Sequence, residues 1–255
     1  MRWLPADLGP GVTAFVTTRA GGVSEPPYDS LNLARHVGDR AEKVSANRDA
    51  VVRWLGMPVA YVNQVHGAWV HVIGDGVPAD APDADAIVTA QPGIGVAVMV
   101  ADCVPVLLAD AERRVIGVAH AGRRGLVDGV VPAALDVMVG LGARVRRIRA
   151  HLGPAICGTC YEVGSVVQAE VAGVVPAAAS TSAWGTPAVD LAAGVISQLS
   201  RAGVRDVSRS GICTREDDRF YSYRRSGATG RFVGVVALEP HDTPSALLAA
   251  GQAET

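Results

Sequence analysis

The stretch VMVADCVPVLLADAERRVIGVAHAGRRG, residues 98–125, decides how the rest of the chain is read. Two apolar runs flank a short polar turn at 110–114, the pattern of a strand–turn–strand whose strands are buried. Asp102 and Cys103 stand at the head of the first run and His120 near the tail of the second. Polar groups at strand ends lie where a cleft can form. After His120 the sequence Ala-Gly-Arg-Arg-Gly feeds an apolar, helix-like run at 126–141. A glycine-bounded loop entering a helix offers free backbone N–H groups to an anion, so residues 122–125, with Arg123 and Arg124, form a candidate oxyanion cradle. Taken alone, Cys103 and His120 would serve equally well as ordinary core residues. The surrounding chain moves that balance.

Upstream, TAFVTT at 13–18 alternates as a strand and runs into a glycine loop, RAGGVS at 19–24. A Pro/Asn/Asp/Ser-rich segment follows to residue 33, irregular but expected to be ordered. Arg19, Ser24 and Asn32 are its polar groups that can line a pocket. Residues 40–55 predict an amphipathic helix with Val44, Ala46, Ala50, Val51 and Leu55 near one side. A strand at 59–62 leads directly into NQVHG at 63–67, where Asn63, Gln64 and His66 crowd together before a glycine. That crowding reads as a site more than as a surface turn. Further strands are predicted at 68–73 and, after Asp83-Ala84-Asp85, up to Thr89. The two aspartates are expected to be solvated edge charges.

Downstream, 145–151 predicts a strand ending in LGPAICGTCYEV at 152–163. Cys157 and Cys160 form a C-x-x-C, but a zinc ribbon needs a second such pair and the sequence has none. No thioredoxin-like context surrounds the pair either. It is expected to be structural, neither redox-active nor zinc-bound. Helices are predicted at 164–174 and 189–202 around an Ala/Ser-rich surface loop at 176–186, with short extended pieces at 204–207 and 210–213. In REDDRFYSYRRSGATG, residues 215–230, Phe220, Tyr221 and Tyr223 interleave with Arg219, Arg224 and Arg225. Such a segment either stacks on a base or sets aromatic feet into the core beneath an exposed arginine face. A closing strand at 231–238 precedes a frayed end at 245–255.

Composition narrows the class. The 255 residues are 49% apolar and 19% charged, with a formal net charge of −2. A nucleic-acid partner would call for a basic patch or a high pI, against a sequence pI near 6.3. No run approaches the roughly 18 apolar residues of a membrane span, and the N-terminus lacks the apolar core of a signal peptide. Four cysteines in so long a chain are no disulfide scaffold, so a reducing cytoplasm is expected. Strands alternate irregularly with helices and several strand pairs are hairpin-like. These features predict one α/β (α+β) domain over 1–255, with mixed β-sheets flanked by helices.

NQVHG at 63–67, ADCVPVLL at 101–108 and VAHAGRRG at 118–125 together resemble the bacterial YfiH-like family. Its members were once called multicopper polyphenol oxidases or laccase-domain proteins, and later purine nucleoside phosphorylases. The resemblance continues through TTRAGGVS at 17–24, SLNLA at 30–34, LGPAIC at 152–157, CYEV at 160–163 and FYSYRRSGATGR at 220–231, nearly the whole chain in order. One departure is HAGRRG, with Arg123 where the family usually carries Trp. The resemblance implies that His66, Cys103 and His120 are the ligands of one zinc ion per chain. The donor chemistry agrees, because a thiolate with two imidazoles suits Zn²⁺ and leaves a fourth position open. It also implies phosphorolysis of adenosine, inosine and methylthioadenosine, and hydrolytic deamination of adenosine, by a cytoplasmic monomer with no nucleic-acid or membrane partner.

Within that reading, Cys103, His66, His120 and Asp102 are the catalytic candidates, Asp102 as an acid/base group or a partner of the metal ligands. Arg19, Asn32, Asn63, Gln64, Arg124 and Arg225 are the candidates for binding nucleoside and phosphate. A true multicopper oxidase needs many histidines, commonly in His-x-His pairs. This chain has six histidines and no such pair, so any phenol oxidation would come from adventitious copper. Two rival classes stand beside the phosphorylase. One is a peptidoglycan-precursor editing hydrolase, or a related hydrolase with Cys103 as nucleophile and His120 as base. The other is a binding protein with structural zinc, which lacks a fourth ligand.

Overall fold

A computed structural model describes residues 2–240 apart from Asp75 and Ala79. The frayed end expected at 245–255 lies outside the described residues. The hairpin forms as its apolar pattern requires: Val104–Asp110 pairs antiparallel with Val115–Ala121, with Asp110 opposite Val115 and Pro105 opposite His120. Asp110 closes the turn, its buried carboxylate accepting the N–H groups of Arg113 and Arg144 at 3.1 and 2.8 Å.

The hairpin is the centre of a six-stranded mixed sheet in the order Asp206–Arg209, Arg149–Leu152, Val104–Asp110, Val115–Ala121, Ala86–Thr89, Val70–Ile73. Its two outermost pairings are parallel and the inner three antiparallel. A second, five-stranded sheet runs Trp3–Pro5, Val12–Thr17, Phe232–Leu238, Gly95–Val100, Val59–Ala60. It stacks on the first. Leu107, Ile116 and Val118 from the hairpin meet Val96, Val98 and Val236 between the sheets. Alternate residues Val106, Leu108 and Ala119 face the helices on the other side, among them Val130–Gly140 and Leu191–Ala202. The helix Ala41–Leu55 covers the outer face of the five-stranded sheet through Val51 and Leu55. Both faces of the central strands are therefore covered, which is why they read as unbroken apolar runs and not as alternation. Each buried Val, Leu or Ile contributes about 1.5–3 kcal/mol, so the hairpin is a rigid base for whatever sits at its open end. The sheets approach so closely at Gly234 that a Cβ there would stand 2.9 Å from Leu107 Cδ1.

The mixed α/β class is as expected; some elements differ in detail. The helix predicted over 126–141 is two, Arg123–Asp128 and Val130–Gly140, divided at Gly129, whose φ of 84° ends one helix and starts the next. The surface loop predicted at 176–186 holds a strand, Ala179–Thr181, which pairs with Pro187–Val189 just beyond it. In the helix Ala41–Leu55 the inward position between Val44 and Val51 is Asn47, not Ala46. Asn47 is spent on the glycine loop: its amide donates to Ser24 Oγ and the carbonyls of Ser30 and Asn32, and its oxygen accepts from Val23 N–H. That explains why so irregular a segment is ordered.

Candidate metal centre and its cavity

The antiparallel register carries Cys103, one residue before the first hairpin strand, and His120, near the end of the second, to the same edge. His66 arrives on the turn after Val59–Ala60, with a φ of 61° that few non-glycine residues adopt. The ligand atoms of His66, Cys103 and His120 all lie within 4.8 Å of one another, and the two imidazole rings meet edge-on at 4.8 Å between centroids. Gly122 abuts the cluster: a Cβ there would stand 3.0 Å from Cys103 Sγ and 3.3 Å from His66 Cδ2.

The residue that organises the cluster is Asp85, and it overturns the expectation of a solvated edge charge. Its carboxylate is fully buried. One oxygen accepts from His66 N–H at 2.9 Å and lies 2.8 Å from His120 Nδ1; the other accepts from Val65 and Gly67 N–H at 3.2 and 2.7 Å. Asp85 thus folds the His66 turn and fixes the ring of His120 together. Burial alone would raise its pKa, but the bonds to His120 and to the backbone hold it below the usual carboxylate value. With Nδ1 committed to Asp85, Nε2 of His120 is left for the cluster. Without a metal, burial disfavours the Cys103 thiolate, yet the charge of His120 and hydrogen bonds from both imidazoles bring its pKa down to about 6. For His120, burial is likewise outweighed, first by the Cys103 thiolate and then by Asp85, and its pKa rises to about 9. A thiolate and two imidazoles, one oriented by a carboxylate, have the donor chemistry and the spacing that a metal ion such as zinc requires.

Above the cluster opens a cavity of about 300 Å³. Tyr161 and Tyr223 give it aromatic surface, and Arg224, Arg231 and His36 give it polar and cationic surface. Arg224 stacks on Tyr161 at 4.8 Å and donates to the carbonyl of Glu162. Arg231 donates to the carbonyls of Thr229 and Gly230. Burial, then the charges of Arg231, Arg48 and His66, lower the pKa of His36.

Of the residues singled out in the sequence, the structure brings His66, Cys103, His120, Asp102 and Gln64 to this cavity. Asp102, with a φ of 94°, is held by hydrogen bonds at the cavity edge. Its carboxylate accepts from Thr214 Oγ1 and Arg224 N–H, both at 2.7 Å, and its carbonyl from Ile156 N–H. Gln64 lines the wall with both amide ends clasped to the backbone of Met99. The others stand outside. Arg124 is exposed and Arg123 faces Glu170 at 3.8 Å, while Gly122 of the same loop packs on the cluster. Arg19 is paired with Asp29 and lies over Tyr221. Asn63 is bonded to Asp83, and Arg225 grips the carbonyls of Thr214, Arg215, Asp217 and Phe220. Asn32 is fully buried and acts indirectly, its oxygen accepting the N–H of Arg231 at 2.9 Å. Phe220 and Tyr221 are core feet; Tyr223 and Arg224 face the cavity. Asp85, His36, Tyr161 and Arg231 are the residues the sequence did not single out with a role.

Residues 13–239 match the family model described as multi-copper polyphenol oxidoreductase laccase. A purine nucleoside phosphorylase of Streptomyces griseus is 52% identical over 228 residues, covering 88% of this chain and 93% of the relative. One of Mycobacterium bovis is 46% identical over 231 residues, covering 89% and 92%. Among solved structures, a Neisseria meningitidis protein superposes with a TM-score of 0.87 at 39% identity over 94% of this chain and all of that one. The Bacillus licheniformis protein YfiH gives 0.82 at 32% identity, covering 89% and 93%.

Proposed function

Because this chain belongs to the multi-copper polyphenol oxidoreductase laccase family and its curated relatives are named purine nucleoside phosphorylases, we propose that it is a zinc-dependent purine nucleoside phosphorylase. The observation that carries this reading is the placement of the His66/Cys103/His120 cluster at a cavity that also presents Tyr161, Tyr223, Arg224 and Arg231. The substrates are adenosine, inosine and methylthioadenosine, and the same site deaminates adenosine. His66, Cys103 and His120 would hold the zinc, which would supply Lewis acidity and lower the pKa of a bound water to roughly 7. All three ligands come from one chain, so a monomer suffices. The four unpaired thiols fit a reducing, cytoplasmic setting.

The purine stacks on the aromatic wall, and phosphate is held by the two cavity arginines, each with N–H groups beyond those tied to carbonyls. In phosphorolysis a phosphate oxygen bonds to C1′ of the ribose as the glycosidic bond breaks. The bonding pair leaves with the purine, giving free base and ribose 1-phosphate. In deamination water adds at C6 and ammonia departs. Asp85 keeps His120 oriented throughout, and Asp102 holds Arg224 and Thr214 against the cavity edge.

A second reading rests on one specific observation: Cys103, His120 and Asp85 are connected as nucleophile, base and orienting carboxylate. That order suits a thiol hydrolase acting on a peptidoglycan precursor. Product analysis from adenosine with and without phosphate separates the readings. Phosphate-dependent adenine together with phosphate-independent inosine and ammonia supports the proposal. Neither product, with an acylated Cys103 after exposure to a cell-wall precursor, supports the hydrolase.

A further inference from the structure

A second group of metal-ligating side chains lies away from the cluster at the hairpin. Cys157, Cys160, Cys213 and Glu216 offer ligand atoms all within 4.8 Å of one another, and all three cysteines are free thiols. We propose that these four residues bind a second, structural divalent metal ion of the zinc type, closed by four protein ligands.

The geometry is that of two facing turns. In CGTC at 157–160, Cys160 N–H and Tyr161 N–H both donate to the carbonyl of Cys157, at 3.0 Å each. In CTRE at 213–216, Glu216 N–H and Asp217 N–H donate to the carbonyl of Cys213, at 3.2 and 3.0 Å. Each turn thereby brings its first and fourth side chains together. The turns are joined by a bridge between Ala155 and Cys213, and Cys157 N–H donates to Cys213 Sγ at 3.4 Å. Cys160 Sγ and Glu216 Oε1 stand 3.4 Å apart. Sulfurs about 2.3 Å from a tetrahedral zinc are about 3.8 Å from one another, so the four atoms need only a small contraction to close on an ion. An odd number of thiols cannot all be satisfied by disulfides, whereas three thiolates and a carboxylate complete a four-ligand set that zinc accepts. The sequence concealed this arrangement because the partner of C-x-x-C is C-x-x-E, at the same spacing but with a carboxylate at its second position.

The site has a structural purpose. It ties loop 153–163 to loop 210–217, and both reach Asp102: Ile156 N–H donates to its carbonyl and Thr214 Oγ1 to its carboxylate. The clamp therefore braces the residue beside Cys103 from behind. Three cysteine thiols lose their protons to solvent as the ion binds. Arg225, bonded to the carbonyls of Thr214, Arg215 and Asp217, offsets part of the resulting negative charge.

The test uses full-length Cys103→Ala protein, whose remaining thiols are the three of this cluster. Cobalt added to the metal-free protein is expected to give an intense sulfur-to-cobalt charge-transfer band and tetrahedral visible bands, and zinc should abolish both. In the otherwise native chain, bound zinc should fall from about two to about one per chain on Glu216→Ala, an exposed position that does not endanger folding. A cobalt spectrum without charge transfer in Cys103→Ala overturns the proposal. So does a native protein with one zinc, retained in Glu216→Ala, or a disulfide between any two of the three cysteines in protein purified under reducing conditions.

Discussion

Replacing Asp85 with Asn probes the connection on which the candidate metal centre depends. Four N–H groups converge on this buried carboxylate, those of Val65, His66, Gly67 and the His120 ring. Asparagine preserves the volume but replaces one acceptor oxygen with a donor NH₂. If the amide turns one way, the NH₂ meets Val65 and Gly67; if the other, it meets His66 N–H and His120 Nδ1. Two charge-assisted bonds of about 1.5–3 kcal/mol each are lost in the first case and one in the second, where His120 can change tautomer, a cost of about 1.5–6 kcal/mol. Against a total stability of about 5–15 kcal/mol, that is a large fraction. An amide donating to His120 Nδ1 would also push the ring proton onto Nε2, removing the lone pair left for the cluster. Metal affinity should then fall about 10–100-fold, as when other groups that orient metal-bound histidines are lost. Denaturant unfolding and competition with a chelator measure the two effects separately. An Asp85→Asn protein within about 0.5 kcal/mol of wild type, with metal affinity within about twofold, would refute the assignment of Asp85 as organiser.

In metal-free protein, alkylation of Cys103, followed by peptide mapping, should be half-maximal near pH 6, because the reactive species is the thiolate. Reactivity falls as acid reprotonates the thiol and persists as His120 loses its proton near pH 9; a midpoint near the ordinary value of about 8.5 would contradict the thiolate–imidazolium pair. Arg231→Gln should raise the phosphate KM about 10–100-fold, whereas Arg124→Ala, exposed and outside the cavity, should leave it within about twofold. The reverse pattern would restore the loop at 122–125 as the phosphate site. Gly122→Ala should weaken metal binding on the order of tenfold, since overpacking of about 1–3 kcal/mol falls on Cys103 Sγ and His66. Unchanged affinity would mean that the ligands move freely.

The hairpin and its open end were legible because burial on both faces leaves an unbroken apolar run, and because chemistry-bearing residues interrupt such runs only at strand ends. Asp85 was not legible. Its role comes from the pairing of Ala86–Thr89 with Val115–Ala121, which sets Ala86 opposite Ala119 and so places Asp85 beside His120. An aspartate two residues from another in a turn-rich stretch carries no local sign of that pairing. Arginine roles were equally hidden. Arg225 and Arg231 lie six positions apart and both donate to carbonyls, yet only Arg231 lines the cavity. Only the helix Tyr223–Ser226 and the start of Phe232–Leu238 decide which is which. Asp102 was found by its neighbour Cys103, but its hydrogen bonds to Thr214 and Arg224 span more than a hundred residues and carry no local sign in the sequence.

The central claim is that His66, Cys103 and His120 hold a metal ion on which phosphorolysis depends. The direct measurement is ribose 1-phosphate formed from inosine and phosphate by native protein, by protein stripped of metal, and by stripped protein given zinc, with Cys103→Ala in parallel. The account predicts activity in the native and restored samples, with background only in the stripped protein and the variant. Full activity in the stripped protein, or in Cys103→Ala, would contradict it.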